Sequence, residues 1–126
     1  MSCPFCHPNS NLVVHQSDQT LTLWDSYPVS PGHALIVPRR HVAGWFEATT
    51  EEQHALIEAL TIARKTIQGK HRPDGFNIGI NVGEAAGQTI FHLHIHLIPR
   101  YQGQEADPRG GIRKLFPDRA RYWDDA

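Results

Sequence analysis

His92, His94 and His96 stand in the run FHLHIHLIPR, spaced by Leu93 and Ile95 and followed by Leu97. On a β-strand side chains alternate between faces, so the three imidazoles point one way, successive ones roughly 6–7 Å apart. The three aliphatic residues then point into a core. Imidazole titrates near neutrality and serves as nucleophile, acid, base or metal ligand. Two chemistries compete for such a row: a metal site, or nucleophilic and acid–base catalysis at phosphorus. Catalytic His-rich zinc sites generally add a carboxylate or further ligands close by, and no Asp or Glu occurs between Ala86 and Gln104. The flank GEAAGQ, Gly83 to Gln88, followed by Thr89, sets backbone N–H groups and a hydroxyl beside imidazole, a combination suited to a phosphate.

A second chemical motif opens the chain. Cys3-Pro4-Phe5-Cys6 is half of a tetrahedral metal site or else a redox pair. A redox CxxC normally follows a strand and opens a helix. Here it sits beside Pro8, Asn9 and Ser10, a poor context for redox work.

The elements that must position these groups are short. Leu12–His15 and Leu21–Trp24 read as a hairpin-like pair, and Ala34–Pro38 (ALIVP) as a buried strand. Thr49 with Glu52, and Thr50 with Gln53, are overlapping capping boxes. Leu56, Leu60, Ala63 and Ile67 follow as an apolar helical stripe, with Lys65 near its end and Gly69 just after, predicting a C-terminus there. Phe76–Val82 (FNIGINV) alternates, with Phe76, Ile78, Ile80 and Val82 on one face. The order β-β-β-α-β-β predicts an α+β fold: roughly five antiparallel strands and one main helix. The tail from Gln102 to Ala126, rich in charge, Gly and Pro, reads as an extended arm with little regular structure, with Leu115, Phe116, Tyr122 and Trp123 as candidate anchors.

With 126 residues the chain suggests one domain with a thin core, which oligomerisation would help. Net charge is −1 and no long basic run occurs, so neither long nucleic acid nor a membrane surface is expected as partner. A small anionic ligand needs only a local site. The first ten residues lack the basic and apolar regions of a secretory signal, and no 18-residue apolar run is present, so the expected location is the cytoplasm.

The triad HxHxH with apolar spacers, preceded by Gly87-Gln88-Thr89, resembles the histidine triad (HIT) superfamily of nucleotide hydrolases and transferases. VSPGHALIVPRRHV, Val29 to Val42, resembles the family's upstream PGH…PxxH segment. Trp24-Asp25 resembles its ribose-contact position, and Asn81 the asparagine at the end of the preceding strand. The resemblance implies that residues 1–101 form a catalytic domain with an N-terminal zinc knuckle and residues 102–126 an arm of the same domain. His94 takes the nucleophile's place, attacking an α-phosphorus and forming a nucleotidyl-histidine that water cleaves. Its proton would sit on Nδ1, held by a same-strand carbonyl, that of His92. His96 matches the histidine that meets the phosphate and leaving group, and Gln88 and Thr89 match phosphate or leaving-group contacts. Gly87 lines the same loop, His33 supports the triad, and Asp25 and Asn81 line the nucleoside pocket. From the residues alone, Asp25 serves equally as a turn or cap.

A zinc-containing branch of the family, with the related galactose-1-phosphate uridylyltransferases, resembles the chain more closely. It implies a closed, structural Zn²⁺ on Cys3, Cys6, His41 and His92, with His7 as a competing ligand. It implies a homodimer with a continuous sheet. Substrates would be dinucleoside polyphosphates or nucleoside phosphoramidates, cleaved to AMP or another NMP, with a nucleotidyl transferase, phosphorylase or non-catalytic nucleotide-binding module as alternatives. The tail GGIRKLFPDRARYW resembles tails of bacterial diadenosine tetraphosphate hydrolases. Its Arg109, Arg113 and Lys114 are either contacts to distal phosphates or a solvated charged arm. His15, His54 and His71 read as solvated surface residues.

Overall fold

Ala34–Pro38 folds as strand β3, and all five of its residues are buried, as its unbroken apolar run predicts. Such a strand belongs inside a sheet. β3 lies third in five antiparallel strands of order β1-β2-β3-β5-β4, where β1 is Val13–Gln16, β2 Thr20–Trp24, β4 Gly75–Gly79 and β5 Ile95–Arg100. One long helix, α1 (Thr50–His71), covers one face. The architecture is thus the expected α+β sheet with one main helix. A computed structural model describes residues 3–124; residues 1, 2, 125 and 126, the outer ends of the two expected segments, lie outside the described residues.

Period-two alternation sorts the side chains between the faces. Ala34, Ile36, Leu93, Ile95 and Leu97 pack with Leu56, Ala59, Ala63 and Ile67 of α1 in one buried cluster. Leu21, Leu23, Leu35 and Val37 form a second cluster on the opposite face, closed by Phe5. His96 pairs across from Leu35, so the triad histidines face away from the helix.

Helix α1 starts where its capping box places it. Thr49 accepts from the Glu52 N–H at 3.0 Å, and Glu52 accepts from the Thr49 N–H at 2.9 Å. Arg40 adds a fork of two bonds to Glu52, 2.9 and 2.8 Å. That fork, with the Thr49 N–H behind it, holds the buried Glu52 carboxyl down at about 2. The fork fixes the segment carrying His41 to the helix. The C-terminus corrects the expectation. Gly69 lies inside the helix, which runs to His71 and stops at Arg72 (φ 53°). Pro73 follows, and a residue before proline is pushed out of the helical region. Gly32 (φ 87°), before β3, lies so close to the helix end that an added Cβ would sit 2.9 Å from the His71 ring.

Two further boundaries differ from the sequence reading. β4 ends at Gly79, opposite His96, and not at Val82. Beyond that pair the two chains part, and Asn81 and His94 line the cavity described below. β5 begins at Ile95, so His92 and His94 precede the strand proper. They keep the alternation because the Leu93 N–H donates to the Val42 carbonyl at 2.7 Å, extending the pairing past the end of β3.

The arm has little regular structure, with two short 3-10 turns, Gly111–Leu115 and Pro117–Arg119. Of the four expected anchors only Trp123 is half-buried, with Arg109 stacked 4.6 Å from its ring; Leu115, Phe116 and Tyr122 are exposed. No helix among the described residues is long and apolar enough to cross a membrane.

Candidate active site

The His94 side chain is buried, and its Nδ1 lies 2.9 Å from the His92 carbonyl oxygen. A carbonyl only accepts, so the proton resides on Nδ1 and Nε2 keeps its lone pair. The bond partner is the one expected from the sequence.

His96 is fixed differently. The Val29 N–H donates to His33 Nδ1 at 3.2 Å, so neutral His33 carries its proton on Nε2. That Nε2–H reaches His96 Nδ1 at 3.0 Å, with the Asp25 carboxylate a longer second acceptor at 3.4 Å. His96 Nδ1 therefore accepts, and the His96 proton sits on Nε2. Neighbouring triad members thus hold opposite tautomers, one with a bare Nε2 and one with an Nε2–H. Their ring centroids are 5.1 Å apart. Burial pushes His96 down to about 4, helped by the His94 and His33 imidazoles and partly opposed by Asp25. Burial also lowers His33, against Asp25. Both rings are neutral at pH 7.

Asp25, His33 and His96 bring three ligand atoms together, yet a metal does not suit them. A metal-bound histidine normally donates its other ring N–H to an acceptor. His33 Nδ1 instead receives an N–H, so binding metal through Nε2 would leave the ring with no proton at all.

Cys3, Cys6, His41 and His92 show the opposite pattern. His92 is fully buried and its Nε2 lies 2.7 Å from the Pro38 carbonyl, which it serves as donor. Its bare Nδ1 then faces Cys3 Sγ at 3.4 Å, Cys6 Sγ at 3.5 Å and His41 Nδ1 at 3.2 Å. Cys6 Sγ lies 3.2 Å from His41 Nδ1. A tetrahedron with Zn–N near 2.0 and Zn–S near 2.3 Å has edges of roughly 3.3–3.8 Å. Two sulfurs and two imidazole nitrogens at such spacing suit a soft divalent cation. Burial holds His92 neutral, as a ligand must be, with the Pro38 carbonyl pulling the other way. His7 is exposed and stands outside the cluster.

A cavity of about 370 Å³ opens at His94 and His96. Asp25, Asn81, Gly87 and Thr89, all expected at the substrate, line it. Gly87 takes φ 92°, a conformation natural to glycine. Asp25 is both a turn residue and a cavity residue, since its Oδ1 accepts the Tyr27 N–H at 2.8 Å. Gln88 corrects the expectation of a phosphate contact. It is buried outside the cavity lining; its Oε1 accepts from the Gly83 N–H, and its Nε2 donates to the Ala43 and Ile90 carbonyls. Its whole amide is engaged in closing the Gly83–Gln88 loop and tying it to the chain after β3.

The arm's cations do not line this cavity either. Arg109 pairs with Asp107, Arg113 donates to the Ala120 and Arg119 carbonyls, and Lys114 meets Glu105. Of the three histidines expected in solvent, His54 and His71 are exposed. His15 is half-buried with Nδ1 unpartnered among the described residues, and His71 sets its ring edge-on against Trp24 at 6.2 Å.

Sequence reasoning missed the apolar wall: Phe5, Leu23, Tyr27 and Ile90. Phe5, between the two cysteines, packs 5.0 Å from the His94 ring and 5.8 Å from His92. Its place inside the CxxC was the available signal, because any ion-binding loop that reaches His92 carries Phe5 to His94.

Residues 8–103 match the family model described as the HIT domain. The chain belongs to the HIT domain family. Among HIT relatives, the protein named hit of Bacillus subtilis is 33% identical over 121 residues, covering 93% of this chain and 82% of that one. AP-4-A phosphorylase of Mycobacterium tuberculosis is 35% identical over 101 residues, covering 79% of this chain and 52% of that one. The chain thus spans about half the length of that relative. The crystal structure of a Zn-bound histidine triad family protein from Mycobacterium smegmatis superposes with a TM-score of 0.75 at 29% identity, covering 84% of this chain and 80% of that chain.

Proposed function

We propose that the chain is a nucleotide hydrolase acting at the α-phosphorus of a nucleoside 5′-phosphate derivative through a nucleotidyl–His94 intermediate. The observation that carries this is the pair of opposite tautomers at the cavity: a nucleophilic lone pair on His94 Nε2 beside a donor N–H on His96 Nε2. The nucleoside lies along Phe5, Leu23 and Ile90 with Asp25 accepting its ribose hydroxyls. His94 Nε2 bonds to phosphorus while the bond to the leaving group breaks, its electron pair going to the leaving atom, which the His96 Nε2–H stabilises. Water then adds to phosphorus. The P–N pair returns to His94, NMP departs, and the second water proton passes to the displaced group or to solvent.

Dinucleoside polyphosphates and phosphoramidates both fit this scheme. The family supports the first through relatives named AP-4-A phosphorylase and bis(5′-adenosyl)-triphosphatase. The former also supports a second reading, in which phosphate replaces water as acceptor. Products separate the two: with diadenosine tetraphosphate and excess phosphate, hydrolysis releases AMP and phosphorolysis releases ADP.

Cys3, Cys6, His41 and His92 would hold Zn²⁺, supported by the donor set and by the Zn-bound relative. When bound it supplies a closed structural anchor for residues 3–7 and His92. Residues 102–126 belong to the same domain, and two copies pair into a homodimer. The central test is acid-quenched intact mass during turnover. One nucleotidyl group on the wild-type protein and none on His94→Ala is expected, with turnover falling at least about a thousandfold. A His94→Ala protein that still turns over removes the nucleophile.

A further inference from the structure

Each residue around the proposed metal needs something to aim it. For His92 the Pro38 carbonyl takes the Nε2–H at 2.7 Å. Cys3 and Cys6 share a turn of their own, in which the Cys3 carbonyl accepts from the Cys6 and His7 N–H groups at 3.2 and 3.0 Å. His41 has neither device. It is exposed, its Nδ1 faces Cys6 and His92, and nothing among the described residues accepts from its Nε2. A metal-bound imidazole is usually oriented by an acceptor at its other nitrogen. His41 must be oriented through its backbone instead. That backbone belongs to no element, lying between the end of β3 at Pro38 and the 3-10 turn Trp45–Glu47.

Two arginines tie this segment down in opposite directions. Arg39 Nε donates to the Ser17 carbonyl at 2.7 Å and its Nη2 to Gln16 Oε1 at 2.9 Å, toward the β1–β2 turn. Arg40 reaches α1, with its two-bond fork on Glu52 and a longer bond to the Glu47 carbonyl at 3.4 Å. The acceptors of Arg39 are neutral. Glu52 is a carboxylate, itself held by the Thr49 N–H. A fork on a charged acceptor is roughly twice as strong as neutral bonds and more exacting in geometry. The Arg40 side chain is 54% exposed, so the pair adds little to stability. What it adds is direction for the next residue along the chain, His41.

We propose that Arg40 and Glu52 are positioning residues for the metal site: the fork between them, seated in the cap of α1, aims His41 at Cys3, Cys6 and His92. The inference rests on the reading of those four residues as the ligands. Without the fork, His41 has no side-chain tie left and leaves the ion on Cys3, Cys6, His92 and solvent. Glu52→Gln separates this role from capping. Glutamine serves at the same position of a capping box, so the start of α1 is kept. Its amide, however, sets a donor against the Arg40 fork, where the carboxylate has only acceptors.

The test titrates the full chain with Zn²⁺ against a competing chelator, and with Co²⁺, whose visible spectrum reports its ligands. Wild type, His41→Ala, Arg40→Met, Arg40→Lys and Glu52→Gln are compared. Arg40→Met and Glu52→Gln should each weaken Zn²⁺ binding roughly ten- to a hundredfold, the usual cost of losing a ligand's outer support. Their Co²⁺ spectra should move to that of His41→Ala. Arg40→Lys, a point charge in place of a fork, should recover part of the affinity. Melting temperatures of the metal-free proteins should change little, while the rise on adding Zn²⁺ shrinks. If Arg40→Met does not fold, Glu52→Gln carries the same comparison. Wild-type affinity and spectrum in Glu52→Gln or a folded Arg40→Met overturn the inference and leave the ligand set standing. So does an equal loss of melting temperature with and without Zn²⁺, which makes the pair a helix clamp only. A His41→Ala protein that binds both metals as the wild type does removes His41 as a ligand, and the inference with it.

Discussion

Whether His96 offers a proton or a lone pair to substrate is decided at His33. The Val29 N–H occupies His33 Nδ1, and the remaining His33 proton points at His96 Nδ1. Remove that donor and His96 is free to take either tautomer, only one of which can stabilise a leaving oxygen. His33→Ala should therefore lower kcat roughly ten- to a hundredfold, a fraction of the factor usual for losing a full acid or base. KM should move little. His33→Gln, whose amide N–H can still donate, should recover part of the loss. The check is steady-state kinetics of both variants beside their thermal melts. If Ala and Gln behave alike, His33 is only packing. This role lies between residues 63 positions apart. The sequence placed His33 near the triad by resemblance, but the direction of the hydrogen bond depends on a backbone N–H that no side-chain pattern records.

At the scale of elements, legibility followed locality. The Thr49–Glu52 box set the start of α1 because cap and capped groups are three residues apart. Its end depended on Pro73 overruling Gly69, also local but outvoted by the stronger glycine signal. The division of β5 from His92–His94 was not readable, since it turns on where β3 stops. The ligand set Cys3, Cys6, His41 and His92 came from resemblance and is assembled in space, whereas Gln88 was misread because its partners, Ala43 and Gly83, come from two other segments. The CxxC itself is where a local motif has a distant effect. Residues 3–6 hold the proposed ion on one side and Phe5 against His94 on the other. Taking the ion away with a chelator should release Phe5 from the second cluster, lower the melting temperature by several degrees and weaken AMP binding. Calorimetry with and without a chelator measures both, and Zn²⁺ add-back should restore them. An AMP affinity indifferent to chelation would break the link between the knuckle and the pocket. Phe5→Ala should weaken AMP binding even when loaded with Zn²⁺, by roughly tenfold for a lost aromatic wall.

The whole molecule carries its neutral histidines as a liability in acid. An unfolded histidine titrates near 6.5, and His96, facing His94, His33 and Asp25, titrates at about 4. Between those values the unfolded chain binds more protons, so stability is complete above about 6.5 and declines as the pH falls toward 4. His96 alone contributes up to about 3 kcal/mol to this loss. Glu52, depressed to about 2, adds a second loss only below about 4.5. Urea unfolding at pH 7 and pH 5 should show the first loss in the wild type and less of it in His96→Gln. Equal pH dependence in the two proteins would remove His96 as its source.

Assembly is the other property that belongs to the molecule as a whole, and the two sheet edges differ in their readiness for it. β1 carries an irregular register between Val13 and His15, a common way to blunt an edge. β4, with sequence GFNIG, has neither charge nor proline, pairs only with β5 among the described residues, and presents Ile78 half-exposed. Ile57 of α1, on the adjoining layer, is also about half-exposed. An unprotected edge is a template for a second strand. Two copies related by a two-fold axis would pair β4 with β4, antiparallel, and join their sheets into one of ten strands. The thin core of a 126-residue chain gains from that burial. Sedimentation equilibrium should find a dimer at micromolar concentration, and Ile78→Lys, which places on β4 the charge natural edges carry, should shift it toward monomer. A wild-type protein that sediments as a monomer throughout that range would leave β4 as a bare edge, and the homodimer would have to be given up.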